Sequence, residues 1–312
     1  MKQSIAIIGE CMLELSGRDI TTSEKALPML MSYGGDTLNT SVYLARLGIE
    51  VEYLTALGKD QLSDWMLDQW RSEGVGCEWV KRVPNSTPGL YLIQIDESGE
   101  RSFLYWRENS PARHMFDDIN SARELFNHLK KSPLIALSGI TLAIYSETAR
   151  QNLFGLLAEY RVAGGRVVFD GNYRPGLWPS KEVARQAYEQ IYQISDIALP
   201  TLEDEQQLFD EPDRDQVISR LRAWGVNEIA LKMGENGCLV VADNSNELVA
   251  AREVDVVDTT AAGDSFNAGY IAARMNGKPA VEAAEQGHRL AAAVIQNKGA
   301  IIPAAAMPEL LV

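Results

Sequence analysis

Asp258-Thr259-Thr260-Ala261-Ala262-Gly263-Asp264-Ser265-Phe266 combines small residues with two carboxylates. Small side chains let a backbone come close to a ligand, and the apolar-periodic run that follows predicts a helix over 261–275. The start of a helix leaves N–H groups without intrahelical acceptors, here those of Ala262, Gly263 and Asp264, and such donors bind anions. They suit the negative charge spread over a phosphoryl group in transfer. Asp264 sits at the same helix start, where its carboxylate could take a proton from an attacking hydroxyl. Standing alone, it would be no more than a helix cap.

Other segments could join it. Gly34-Gly35-Asp36-Thr37-Leu38-Asn39 leads into an amphipathic run that stops at Gly48. Its glycines would bring backbone N–H groups to a ligand, and Asp36 and Asn39 could bind hydroxyls. Asp170-Gly171-Asn172-Tyr173-Arg174 follows an apolar run that reads as a strand.

These pieces need a frame. Ile5–Ile8 is a continuous apolar run of strand length, as expected for a buried parallel strand. Strands are also expected at 51–57, 134–137, 166–170, 197–199, 229–232 and 238–241. Helices are expected at 60–73, 146–163, 181–194, 215–224 and 280–296, several closed by glycine. This alternation predicts an α/β fold with a mainly parallel sheet covered on both faces. Ligands of such sheets bind beyond the carboxyl ends of the strands, so the loops after Ile8, Phe169, Leu199, Lys232 and Val257 should converge. Residues 91–95 and 101–106 are β-rich and flank a polar turn at 96–100, which reads as a hairpin. With a strand pair from about 13–32, it forms a small β lid, drawn from about 10–33 and 85–110 of a single domain over 1–312.

Composition narrows the function. The net charge of −14 disfavours nucleic acid and anionic membrane surfaces. The three cysteines lack CxxC spacing, and the three histidines lack metal spacing. No apolar run is long enough for a membrane span or a signal-peptide core, so a cytoplasmic protein is expected. A dinucleotide-dependent oxidoreductase would need GxGxxG after the first strand, where Gly9-Glu10-Cys11-Met12 stands instead. A non-catalytic sugar-binding regulator would be expected to lack the base or the anion hole, yet Asp264 and Gly263 are present.

At Asp258–Asp264 the chain resembles the ribokinase/PfkB carbohydrate kinases, whose second signature reads Asp-Thr-x-Gly-Ala-Gly-Asp. Ala261 stands here for the first Gly of that pattern. Gly34–Asn39 resembles the first signature, and the two lie in the family's order. The resemblance implies a ribokinase-like three-layer sandwich with a small β-sheet lid. It implies Asp264 as general base and Ala261, Ala262 and Gly263 as anion hole. It implies ATP with Mg²⁺, and Lys232-Met233-Gly234-Glu235-Asn236-Gly237 as a nucleotide loop, which otherwise reads as a hairpin turn. Asp258 and Thr260 match positions where some members hold a monovalent cation such as K⁺. Members usually carry Asn-x-x-Glu for magnesium and phosphate. Here Thr201 and Asp204 occupy those places, leaving Asp204, with Glu203 or Glu205 as substitutes, for Mg²⁺. Pairing of lids in the family implies a homo-oligomer.

Asp170-x-Asn172-x-Arg174 followed by Leu177-Trp178 resembles the fructokinase and 2-keto-3-deoxygluconate kinase branch. There Arg174 would reach the substrate or the transferring phosphate, and Asn172, with Tyr173 beside it, the nucleotide phosphates. Tyr91, Tyr105, Trp106 and Arg107 fall on the lid hairpin, and Tyr105-Trp106-Arg107 resembles the lid contact of the sugar-acid kinases. Arginine grips a carboxylate through paired N–H donors. The substrate expected is 2-dehydro-3-deoxy-D-gluconate, phosphorylated to its 6-phosphate, with fructose as the alternative.

Overall fold

The computed structural model describes residues 4–17, 28–95, 101–129, 132–242 and 245–310. The turn expected at 96–100, and residues 18–27 of the expected strand pair, lie outside them. The strands in chain order are β1 (Ser4–Ile8), β2 (Met12–Ser16), β3 (Leu30–Gly34), β4 (Glu50–Leu54), β5 (Ala56–Leu57), β6 (Lys81–Arg82) and β7 (Leu90–Ile95). They continue as β8 (Arg101–Trp106), β9 (Leu134–Ser138), β10 (Arg166–Asp170), β11 (Ile197–Ala198), β12 (Glu228–Lys232), β13 (Cys238–Ala242) and β14 (Ser245–Val249). The helices are α1 (Asp36–Arg46), α2 (Gln61–Ser72), α3 (Ile119–Leu129), α4 (Gly139–Ile144) and α5 (Glu147–Val162). After them come α6 (Lys181–Gln193), α7 (Leu202–Phe209), α8 (Arg214–Ala223), α9 (Ala262–Met275) and α10 (Ala280–Ile295).

The main sheet has eight strands in the order β14-β13-β12-β11-β10-β9-β1-β4. Pairing is parallel from β4 to β12 and antiparallel for β12–β13–β14. Its strands are apolar on both faces because successive residues enter opposite cores. Ala6, Ile8, Ile135, Leu137, Val167 and Phe169 pack on one side with α3, α5, α6 and α8. Ile5, Ile7, Leu134, Ala136 and Val168 pack on the other with α1, α2, α9 and α10. Three layers result, as expected. Local signals start several helices: the Asp60 carboxylate accepts from Leu62 N and Ser63 N to begin α2, and Ser146 Oγ accepts from Ala149 N to begin α5.

The expected strand 51–57 is broken at Thr55. β5 leaves the main sheet and pairs with β6, which carries the chain toward the second sheet. α3, α4, β6 and β14 lie outside the elements the sequence predicts.

The second sheet has four strands in the order β3-β2-β7-β8. β2–β3 and β7–β8 are antiparallel, and β2–β7 is parallel. The register aligns Ser32, Glu14, Tyr91 and Tyr105 in one cross-strand row, and Met31, Leu15, Leu92 and Leu104 in the next. Because side chains alternate across a strand, the first row makes a polar, aromatic face and the second an apolar one.

Candidate active site

The carboxyl ends of β1, β9, β10 and β12 converge with the N-terminal ends of α1, α7 and α9. Asp264 lies in the first turn of α9. Its Oδ2 accepts from Asn39 Nδ2 at 2.8 Å, and Thr40 Oγ1 donates to its carbonyl at 3.2 Å. Helix α1 thus orients Asp264 across a gap of 225 residues in sequence. Burial, and next the negative charge of Asp36, push the Asp264 carboxyl up to about 8, while the Asn39 bond opposes the rise. A carboxylate poised there is a base of useful strength.

The anion hole differs in detail from its expected form. Ala261 adopts φ 60° and ψ 19°, a left-handed conformation, just before the helix begins. That turn folds Ala262 N back to the Thr259 carbonyl at 3.2 Å, so Ala262 N–H is not a free donor. Ser265 N closes the first helical bond, to Ala261 O at 2.9 Å. Gly263 N–H and Asp264 N–H have no backbone acceptor among the described residues and form the open pair. Ala261 carries a Cβ where glycine would be unstrained, which costs about 1 kcal/mol. Ala261→Gly is therefore expected to leave turnover intact and to raise stability by roughly 0.5–1 kcal/mol, the greater freedom of glycine in the unfolded chain offsetting part of the gain. The midpoint of urea unfolding checks it.

Lys232, at the end of β12, reaches under this pair. Its Nζ donates to Asp170 Oδ1 at 2.9 Å and to Asn267 Oδ1 at 3.0 Å. A Cβ built on Gly263 would stand 3.7 Å from that ammonium. A fixed positive charge thus reinforces the helix N-terminus. The following residues 233–237 make a tight turn between the antiparallel strands β12 and β13, with Gly234 at φ 56° and Gly237 at φ 91°. The segment is a hairpin turn that also lines a cavity. Met233 faces the hydrophobic core, whereas Gly234, Glu235 and Asn236 are exposed.

That cavity measures about 560 Å³ and opens beside the anion hole. Thr201, Lys232, Gly237 and Gly263 wall one end; His288, Ala291, Ala292 and Ile295 of α10 wall the other. Burial lowers the His288 imidazole pKa, and its Nε2 lies 3.2 Å from the Val249 carbonyl. The cavity suits a nucleotide in size and in its contrast of polar and apolar ends.

Asp36 and Asn172 hold each other rather than facing outward: Asn172 Nδ2 donates to Asp36 Oδ2 at 2.8 Å, and Thr37 N to Asp36 Oδ1 at 2.8 Å. Asn172 itself has φ 34°, a conformation asparagine tolerates. Burial raises the Asp36 carboxyl, opposed by a hydrogen bond from Ser138. Leu38 is wholly buried, and the Thr37 hydroxyl lies 3.0 Å from Tyr53 OH. The expected hydroxyl contacts of Asp36 and Asn39, and the substrate contacts expected of Thr37 and Leu38, are therefore corrected: α1 is buried on this side, and its side chains position other groups. Gly34 and Gly35 fit close approach of chain to chain. A Cβ on Gly34 would lie 2.2 Å from Tyr91 OH, and one on Gly35 would lie 2.4 Å from the Glu10 carbonyl.

Asp204 accepts from Tyr173 N at 3.2 Å and stands 3.6 Å from Arg174 Nη1. Burial raises its carboxyl, with Arg174 opposing and Asp170 adding to the rise. The Tyr173 ring packs against Tyr188 in the core, so only its backbone faces the site. Arg174 is half exposed, with its Nη1 also donating to the Tyr173 carbonyl at 2.8 Å. Glu205 is removed from the magnesium candidates: it is buried on Arg220 and Tyr192. Glu203 is exposed, which leaves Asp204 facing Asp170, a pair suited to a hydrated Mg²⁺. Asp258 is engaged with the chain itself, its Oδ1 accepting from Thr260 N and Oγ1 and its Oδ2 from Gly299 N.

On the second sheet, Tyr91 and Tyr105 share the polar face, with ring centroids 6.0 Å apart, and Tyr91 OH donates to Glu14. Trp106, two residues on from Leu104, lies on the apolar face and is 54% exposed. Its expected side-chain contact with substrate is corrected on that alternation. Arg107 is buried, with Nη2 donating to Glu10. Sequence reasoning missed Glu10, Asn267 and the Ala291, Ala292 and Ile295 part of the α10 wall. Of these, only Ala291 and Ala292 carry a local signal, small residues that share a helix face with His288 and Ile295 and leave it open to a flat ligand.

The pattern of the pfkB family carbohydrate kinases matches residues 2–307. The chain is 46% identical over 316 residues to the 2-dehydro-3-deoxygluconokinase of Escherichia coli (strain K12), covering 99% of this chain and 100% of that protein. Among solved structures, the 2-dehydro-3-deoxygluconokinase of Thermotoga maritima superposes with a TM-score of 0.83 at 21% identity, over 96% of each chain, a likeness of fold. A putative ribokinase II from E. coli in complex with ATP and Mg²⁺ superposes with a TM-score of 0.81 at 21% identity, over 96% of this chain and 94% of that one. A family pattern matched over nearly the whole length, and a relative 46% identical across it, show that the chain belongs to the pfkB family of carbohydrate kinases.

Proposed function

We propose that this protein transfers the γ-phosphoryl group of ATP to the terminal hydroxyl of 2-dehydro-3-deoxy-D-gluconate, giving the 6-phosphate. The observation that carries the reading is the junction at Asp264, where a raised carboxyl, two open N–H groups and the Lys232 ammonium meet the cavity. The 46% identity to a kinase of that name supports the substrate. Asp264, ionised, takes the hydroxyl proton, held toward the substrate by Asn39. Gly263 N–H and Asp264 N–H stabilise the charge on the transferring group, and the Lys232 ammonium strengthens their field. ATP lies in the cavity, with the 234–237 turn against its phosphates and ribose. Mg²⁺ supplies neutralisation of phosphate charge, and Asp204 with Asp170 would hold it through water. Arg174, half exposed, is free to swing to the substrate or phosphate.

The second sheet acts as the lid, with its Tyr91–Tyr105 face toward the sugar. Its opposite face, with Met31 and Leu104 both exposed beside Trp106, fits a second copy of the chain, so a homo-oligomer is expected. K⁺ would act at Asp258 and Thr260, and a rate equal in K⁺ and tetramethylammonium salts removes that role. No helix among the described residues is long and apolar enough to cross a membrane. The reading is that of a cytoplasmic enzyme.

A coupled ADP-release assay over sugar acids and ketoses tests the substrate. The expected result is a kcat/KM for 2-dehydro-3-deoxygluconate above that for fructose by about 10²-fold or more, the size of one well-placed charged contact. Turnover of fructose alone overturns the sugar-acid reading and leaves the kinase reading in place.

A further inference from the structure

Glu10 stands two residues beyond β1, on the strap that joins the main sheet to the second sheet. Its side chain is 1% exposed, and its Oε2 accepts from Arg107 Nη2. Arg107 arrives from the opposite direction, as the first residue after β8, 97 residues along the chain. Two glycines let the chain close tightly around Glu10. A Cβ on Gly35 would stand 2.4 Å from the Glu10 carbonyl, and one on Gly89 would stand 3.2 Å from Glu10 Oε1. On its other side, the Arg107 guanidinium carbon lies 5.9 Å from the ring centroid of Tyr105, on the face that carries Tyr91.

A buried ion pair is a poor stability device, since well-packed apolar groups of the same volume do as well or better. What it fixes is geometry. An arginine left free at the rim would draw in any anion at long range. One whose charge is offset by a buried carboxylate loses that general attraction and keeps its directed donors. Nη2 is already turned to Glu10, so the plane and orientation of the remaining donors are set before a ligand arrives.

We propose that Glu10 is the positioning residue for Arg107, and through it sets the preference of the site for a sugar bearing a carboxylate over a neutral ketose. This rests on the sugar-acid reading above. Glu10 holds the guanidinium fork at the base of the lid. The substrate carboxylate is then recognised by fit to a fixed fork, and other anions gain little from the pair.

The test uses Glu10→Ala and Glu10→Gln, each alone and combined with Arg107→Ala, in steady-state kinetics at saturating MgATP. The substrates are 2-dehydro-3-deoxygluconate and fructose, the latter as a competitive inhibitor if it is not turned over. Glu10→Ala is expected to raise KM for the acid roughly tenfold or more, the worth of one charge-assisted bond. The fructose constant and kcat should change by no more than about twofold, the pattern of a lost binding contact rather than a lost transition-state contact. Glu10→Gln retains an oxygen acceptor and should recover most of the loss. With Arg107→Ala present, Ala and Gln at position 10 should give the same acid KM, because the residue acts only through the arginine. Where Glu10→Ala does not fold, Glu10→Asp replaces it, with the same split expected. Equal rises for acid and fructose, or a Glu10 effect that persists in full beside Arg107→Ala, overturn the proposal. A wild-type enzyme that fails to phosphorylate the acid overturns the substrate reading instead.

Discussion

Asp264→Asn is expected to lose turnover by about 10²–10⁴-fold, the usual contribution of a positioned general base, while still binding MgATP and sugar. The pH behaviour of the unmodified protein should report the same group. A carboxyl raised to about 8 is largely protonated at neutral pH, so kcat/KM should climb with pH through that value as the base ionises. Stability should run the other way. The folded value lies above the ordinary 3.8, so the folded state binds the proton more tightly than the unfolded chain does. The contribution is therefore complete below about 4 and lost as pH rises through about 8. Every tenfold difference in proton affinity between the two states corresponds to about 1.4 kcal/mol. Asparagine removes the buried charge, so the variant should melt higher than the parent at pH 8–9 and lose most of that advantage near pH 5. Near-normal turnover in Asp264→Asn would remove Asp264 as the base.

Lys232→Met is expected to have the next largest effect. Loss of one preorganised charge or donor at a developing anion lowers kcat by about 10²–10³-fold. The ammonium also lowers the Asp264 carboxyl, so its loss should move the rising limb of the pH–rate profile to higher pH. A second consequence is structural. Asp170 would keep a mostly buried carboxylate without its ion-pair partner, a change worth about 3–5 kcal/mol. Adding Asp170→Asn should restore much of that stability and none of the turnover. Recovery of turnover in the double variant would mean that Lys232 serves only to neutralise Asp170.

Much of this molecule is legible in its sequence where the signal is periodic or short-range. Residues 5–8 and 167–169 read as buried strand segments because every residue meets a core on one face or the other. The Asp258–Asp264 segment reads as a helix start because small residues and a carboxylate precede an apolar run. Other elements carry weaker local signals. α4 is one turn and a half of apolar residues that begins on glycine, held by the Ser138–Thr141 capping box. β14 is Ser-Asn-Glu-Leu-Val, polar enough to read as loop, and becomes a strand because β13 offers it an edge. The site is harder still, because its bonds join residues far apart. Asn39 reads as a sugar ligand until α9 brings Asp264 to its amide. Arg107 reads as a lid contact for a carboxylate ligand, and its own buried partner, Glu10, shows only once the second sheet is folded. Trp106 reads as a cleft residue until the cross-strand register turns it away. In each case the deciding partner lies outside any window in which periodicity can be counted.

The closure of α1 on the C-terminal part of the chain has a consequence for how activity is gained. Tyr43 OH donates to the Ala300 carbonyl and Arg46 to the Ile302 carbonyl, contacts that span 257 and 256 residues. The Asn39–Asp264 bond belongs to the same seam. Contacts this distant carry a large loop-closure entropy and form late. A chain still leaving the ribosome can complete most of its sheet yet have no oriented base, since α9, Ala300 and Ile302 follow every strand of that sheet in the chain. On the proposed role of Asp264, activity therefore waits until α1 has docked on α9. In refolding from urea, recovery of ADP release should coincide with docking of α1 against α9 and lag behind the return of secondary structure.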